Sequence, residues 1–314
     1  MVNLTSLLRN SSLHASFKNL DILTGTEVAL SATVFTVIAT TGLLGNFSVI
    51  LVTAVKSGQP RTLMTHLMAS LACADFINLL VTIPSIWHSL SGRNFGWPLE
   101  LWQIIIYISL SSLYASVLLQ VAICVERYLG IVHAKMPVRA QSGRWQSLYI
   151  ILPVSISGSL AVPQAALTLP HIWWLYTKIV EILIFYAIPL LTMTALYART
   201  ALTLHRHSRR LNRNRHFAPA HKLSRSARVN ASRQKVVWML ILCVLIYYAC
   251  FTPIQARFLC QLFGSGYWSL SQLTVVILNG LAYASSAANP FIYAIFLPDF
   301  RRRLTRLIRK LTSC

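Results

Sequence analysis

Charge is what this chain has least of. Lys, Arg, Asp and Glu make up 11% of its 314 residues, against about 25% in a typical globular domain. Such a composition excludes an ordinary water-soluble fold. Sequence signatures of catalysis are also missing: there is no HExxH, no GxSxG and no pair of aspartates within an apolar run, so nothing favours an enzyme. No internal repeat is visible, where a two-halved transporter would show one. The six cysteines are Cys73, Cys124, Cys243, Cys250, Cys260 and Cys314.

What fills the chain instead is apolar sequence, 55% of it. Seven long apolar segments are expected to span a membrane, at 28–55, 63–88, 102–133, 147–166, 178–204, 236–262 and 271–296. About 20 residues suffice to cross a hydrocarbon core of ~30 Å, and helix is the state that satisfies the backbone there. The first 27 residues are polar and contain no short cleavable signal, so the first apolar segment is expected to direct insertion. The expectation is an all-α membrane protein: a tail over 1–27, a seven-transmembrane helix bundle over 28–296 and a short amphipathic cytoplasmic helix over 297–314. In that last segment Phe300, Leu304, Leu307, Ile308 and Leu311 recur at helical spacing between basic residues, as in helices that lie on a membrane.

The formal net charge is +21, and its distribution sets the orientation. Basic residues crowd the segments 206–235 and 301–310 and the short links at 56–61 and 135–144, all on one side of a seven-span chain. The positive-inside rule makes that side cytoplasmic and the N-terminus extracellular, in the plasma membrane. Nucleic acid is not the expected partner, because residues 206–235 contain a single aromatic, Phe217, and lie between spans. Anionic inner-leaflet lipids are, and a docking cytoplasmic protein is compatible with the same surface.

Against this apolar background, a few polar residues stand out. Glu126 and Arg127, followed by Tyr128, end the long third segment. Arg127 lies about 36 Å along a helix that starts near Gln103, at the cytoplasmic rim. It either snorkels there as an anchor or has a function. Asp75, Asn46 and Asn289 fall deep inside spans, and Asp75, Ser116 and Ser286 fall at overlapping depths. A carboxylate among hydroxyls suits a hard monovalent cation or trapped water, and equally a protonated Asp75 that staples helices by hydrogen bonds.

These residues are ordered as in a known family. GN at 45–46, LACAD at 71–75, ERY at 126–128, Pro189 with Tyr197, CFTP at 250–253 and NPFIY at 289–293 follow one another on successive spans. Over residues 28 to 314 the chain resembles a rhodopsin-like (class A) G-protein-coupled receptor. The resemblance implies an extracellular ligand, a heterotrimeric G protein partner and no covalent chemistry. It implies that Glu126 holds Arg127 at rest and that the sixth helix swings outward about Phe251 and Pro253. Tyr197 and Tyr293 would then turn inward, with Asn289 and Pro290 at the inner end of the seventh helix. It implies no cofactor beyond a sodium ion or water held by Asp75, Ser116, Ser286 and Asn289.

The departures from the family's pattern are equally specific. Phe251 stands where a Trp is usual, Ser285 where an Asn usually helps to hold sodium, and Arg233 where some members have an acid that locks Arg127. Trp102 occupies the place of the usual third-helix cysteine, and the second outer loop has none, so no intramolecular extracellular disulfide is available. The outer loop is then held by the HIWWLY cluster or left mobile.

For the ligand, Ser109 in place of an Asp argues against amines, and Tyr283 in place of a Lys argues against retinal. An outer cavity is expected from Trp87, His88, Tyr107, Ser109, Glu181, Gln255, Arg257, Asn279 and Tyr283. Glu181 and Arg257 either meet a charged ligand, pair with each other or snorkel to the membrane rim. The fifth segment resembles that of peptide receptors, while the absent disulfide and short second loop occur in some lipid-binding members; a peptide is the preferred ligand. The sequons at Asn3 and Asn10 are expected to be glycosylated, and Cys314 is a candidate for palmitoylation. An ion or solute transporter with Asp75, Ser116 and Asn289 along its path is the alternative from another class.

Overall fold

A computed structural model describes the chain over residues 24–55, 62–91, 97–132, 143–166, 171–213, 220–263 and 271–312. Among these residues every regular element is helical. The elements are α1 (Gly25–Ala54), α2 (Leu63–Ser91), α3 (Leu99–Val132), α4 (Gly143–Ala165), α5 (His171–Glu181, continued by a π-helical turn Ile182–Ala187 and by Ile188–Arg213), α6 (Ala220–Phe263), α7 (Gln272–Phe296) and α8 (Pro298–Thr312). The first seven each contain a stretch long and apolar enough to cross a membrane. The sequons at Asn3 and Asn10 and the terminal Cys314 lie outside the described residues.

Local sequence explains where helices begin. Thr24 caps α1: its hydroxyl accepts the Glu27 N–H at 3.3 Å while its own N–H donates to the Glu27 carboxylate at 2.8 Å, a reciprocal capping box. Ser271 caps α7 by accepting the Thr274 N–H at 3.3 Å. Inside α1, Thr33, Thr36, Thr40 and Thr41 donate to carbonyls one turn back, so their hydroxyls are satisfied where lipid offers no partner.

α3 packs against α2, α4, α5 and α6, whereas α7 closes the bundle against α1, α2 and α6. The main core is shared by the inner halves of α1, α2, α3, α5, α6 and α7. α1, α2 and α7 approach closely through Gly42, where an added Cβ would stand 2.5 Å from Leu79 and 2.9 Å from Ala287. α8 folds back onto α1 and α7, with Phe300 buried and Leu304 and Leu307 packed on the core while Arg301, Arg302, Arg306 and Arg309 stay exposed.

Two expectations from the sequence need correction. HIWWLYTK, read as loop, is the first part of α5. Its exposed faces carry Trp173 and Tyr176, amphipathic rings of the kind that settle at a membrane interface. α5 and α6 also continue well beyond their apolar runs, to Arg213 and back to Ala220, because helix persists into water where hydropathy no longer marks it.

Candidate functional site

At the inner end of α3, Arg127 is bound to its neighbour. Its Nη2 donates to Glu126 Oε1 at 2.7 Å, and its Nε donates to Glu126 Oε2. The two side chains are 26% and 19% exposed, which places them at a boundary rather than in the core. Glu126 is the one ion-pair partner of Arg127 among the described residues. No acid occurs anywhere in residues 182–298, so α6 carries no carboxylate to compete for it. Tyr128 follows on the same helix, half-buried.

Tyr197 and Tyr293 are both already buried, in one cluster with Cys124, Met193, Cys243 and Phe251. Neither side chain faces solvent.

The buried centre is polar. Asp75 is 0% exposed; Oδ1 accepts from Ser116 Oγ at 2.8 Å and Oδ2 from Asn289 Nδ2 at 2.9 Å. Three of the four residues expected at this site are thus joined by direct hydrogen bonds across α2, α3 and α7. The fourth, Ser286, is buried on α7 with its side chain also directed to Asp75, and its carbonyl accepts from Asn46 Nδ2 at 3.0 Å. That bond has a covalent cause: Pro290 lacks an N–H, which deprives the Ser286 carbonyl, four residues earlier, of its helical partner. Ser285 turns away, donating to the Ala282 carbonyl at 2.7 Å.

A similar relation joins α5 to α6. The π-helical turn closes with Ile188 N–H donating to Leu183 O, and Pro189 supplies no donor next to it. Two tyrosines of α6 reach the loosened backbone: Tyr247 donates to Phe185 O at 3.5 Å and Tyr248 to Tyr186 O at 3.4 Å. The Tyr186 hydroxyl in turn meets Thr252 Oγ1 at 2.7 Å. Phe251 stacks on Tyr247 with ring centroids 4.5 Å apart, two residues before Pro253 within α6. The side chains next to Pro253 are therefore tied to the first half of α5.

Toward the outer end, Glu181 does not pair with Arg257. Lys178 Nζ donates to Glu181 Oε2 at 2.7 Å and to Gln164 Oε1 at 3.0 Å, and it lies 5.1 Å from the centre of the Phe258 ring. Tyr114 stacks flat on Phe185 at 3.9 Å, with its hydroxyl buried and unbonded among the described residues, as are Gln255 Oε1 and Arg257 Nε. Ser109 donates to Asn78 Oδ1 at 3.2 Å. Tyr283 is part-buried against Phe35, Asn279 is part-buried on α7, Tyr107 is half-exposed with its hydroxyl against Gly158, and Trp87 is exposed. His88 belongs to α2, but its side chain lies outside the described residues.

Sequence reasoning missed Lys178, Gln164 and the α5–α6 tyrosine contacts. Lys178 and Glu181 are three residues apart, and i,i+3 spacing on a helix was the signal available.

Among the described residues no group of three or more His, Cys, Asp or Glu side chains could hold a metal ion.

The seven-span fold and the sequence are both similar to those of known proteins. The fold is similar to that of squid rhodopsin, with a TM-score of 0.81, 95% of this chain and 90% of that chain covered, and 17% identity. In sequence it is 29% identical over 301 residues to neuropeptide receptor 15 of Caenorhabditis elegans, covering 86% of this chain and 87% of that receptor. It is 25% identical to the QRFP-like peptide receptor of Branchiostoma floridae, covering 88% and 76%, and 25% identical to the human neuropeptides B/W receptor type 1, covering 88% and 85%. Residues 45–293 match the family described as 7 transmembrane receptor (rhodopsin family). The chain is a multi-pass membrane receptor of the rhodopsin family, and not an enzyme.

Proposed function

We propose that this receptor sits in the plasma membrane with its N-terminus outside, binds an extracellular peptide and activates a heterotrimeric G protein by an outward swing of α6. The observation that carries the reading is the Arg127–Glu126 pair at the cytoplasmic end of α3. It holds the arginine by a partner on its own helix and leaves α6 unlocked. Agonist outside and G protein inside would then favour the same open state, each by binding it more tightly than the closed one. On opening, Tyr197 and Tyr293 exchange core contacts and help to support the released arginine.

A peptide is supported by the named peptide receptors among the relatives. The outer groups fit such a ligand chemically: a buried Glu181–Lys178 pair, with Arg257 and Gln255 each presenting an unbonded polar atom. Trp87, Tyr107, Ser109, Asn279 and Tyr283 complete the proposed cavity wall. The test is nucleotide exchange on a G protein panel driven by fractionated peptide pools, with Glu181→Gln and Arg257→Gln beside the wild type. Peptide-stimulated exchange with reduced potency in both variants supports the reading. Stimulation by lipid pools alone, or ion flux without exchange, would replace it.

Asp75 is assigned a sodium ion or water on the same reading. Its residues fit: a fully buried carboxylate with no ion-pair partner among the described residues, and with the Ser116 and Ser286 hydroxyls and the Asn289 amide beside it. A monovalent cation would offset the cost of keeping that charge buried.

A further inference from the structure

The inner halves of α5 and α6 do not close on each other completely. Between them lies a groove of about 290 Å³, lined by Ala201, Leu202 and His205 from α5 and by Gln234, Trp238 and Ile241 from α6. It opens sideways: Leu202 and Trp238 are among the exposed large apolar side chains, Trp238 at 62%. At just under the ~300 Å³ where small-molecule pockets begin, it has room for a length of hydrocarbon chain and not for a peptide.

Its rim is basic. His205 lines the groove itself. Arg206 and Arg209 lie one helical turn beyond Leu202 and His205, and Lys235 one turn before Trp238; all three are exposed. None of them forms an ion pair among the described residues, and with no acid in residues 182–298 the halves of the two helices that line the groove supply no counter-ion of their own; Glu181, at the far end of α5, is held by Lys178. Charge therefore selects the occupant. A second copy of this surface would bring like charges together, which costs stability. A zwitterionic lipid carries a phosphate too, but it brings its own cation to an already basic rim and so adds no net negative charge there.

We propose that the α5–α6 groove is a seat for one anionic phospholipid, its acyl chain along Leu202, Trp238 and Ile241 and its phosphate among His205, Arg209 and Lys235. Helix-to-helix relations at this place change when α6 moves, so the lipid is bound at the part of the bundle that the proposed activation displaces. The placement in the inner leaflet rests on the proposed orientation; the binding itself does not.

The experiment uses the full chain in phosphatidylcholine nanodiscs doped with brominated lipid, which is present in both leaflets, so a wrong orientation cannot hide binding. Emission assigned to Trp238 is the difference between wild type and Trp238→Phe. The expected result is quenching by brominated phosphatidylglycerol at a mole fraction on the order of tenfold lower than by brominated phosphatidylcholine, since each basic residue near an anionic headgroup contributes roughly fivefold. That preference disappears in Arg209→Gln/Lys235→Gln, and in Ala201→Phe, which fills the groove without changing charge. It persists in Arg302→Gln/Arg306→Gln, which removes the same charge from α8. Equal quenching by the two lipids would overturn the proposal, because it describes ordinary boundary lipid. Loss of preference in the α8 variant alone would overturn it by moving the seat elsewhere. Absence of any quenching would show the groove covered by protein.

Discussion

Replacing Glu126 by Gln tests the closed state at its smallest element. The substitution keeps the shape of the side chain and one amide oxygen as acceptor, and it removes the charge that Arg127 meets with two N–H donors. A fully exposed ion pair contributes about 0.2–1 kcal/mol, and a hydrogen bond to a charged group about 1.5–3 kcal/mol when sheltered. With side chains 26% and 19% exposed, the pair belongs near the boundary of those ranges, at about 1 kcal/mol. If the clamp exists only in the closed state, losing it raises the ratio of open to closed receptor about fivefold. Where the open state is a minor population, basal activity rises by the same factor. The assay is ligand-free GDP–GTP exchange on a responsive G protein, with wild type and Glu126→Gln in matched nanodiscs and equal thermal midpoints. Basal exchange that stays level, or falls, in a properly folded Glu126→Gln receptor refutes the clamp.

Other perturbations follow from single contacts. Gly42→Val places carbon where Leu79 and Ala287 already stand; overpacking of this kind costs about 1–3 kcal/mol. It lowers the thermal midpoint in detergent, while Gly130→Ala, with nothing within 4 Å of the added carbon, does not. Asn46→Leu removes the donor to the Ser286 carbonyl that Pro290 leaves open, costing about 1–3 kcal/mol for a buried unsatisfied acceptor, again read as a lower midpoint. Lys178→Met strands the buried Glu181 carboxylate and destabilises by about 3–5 kcal/mol. Lys178→Met/Glu181→Met recovers most of that loss in thermal unfolding, since no charge is then left unpaired.

The seven spans and their order were legible because lipid forces apolar length on a helix, and the buried triad of Asp75, Ser116 and Asn289 was legible because polar residues are conspicuous in such runs. What sequence hid was pairing. Glu181 and Arg257 attracted attention as charges in outer segments, but α5 begins at His171 rather than near Lys178, and on that longer helix Lys178 stands one turn from Glu181. The two aromatic-rich turns concealed it, since interfacial Trp and Tyr occur in loops and helix ends alike. A proline in a helix frees the carbonyl four residues earlier, but the sequence does not say which group receives it. Asn46 and the tyrosines Tyr247 and Tyr248 fill that role or a similar one, and only packing of separate helices reveals it.

The central claim is that Arg127 links this bundle to a G protein. The most direct measurement is GDP–GTP exchange across a panel of purified heterotrimers, with wild type and Arg127→Ala in nanodiscs and with the most active peptide fraction present. The account predicts exchange on at least one heterotrimer that Arg127→Ala abolishes while peptide binding survives. Exchange of equal rate in Arg127→Ala would contradict it.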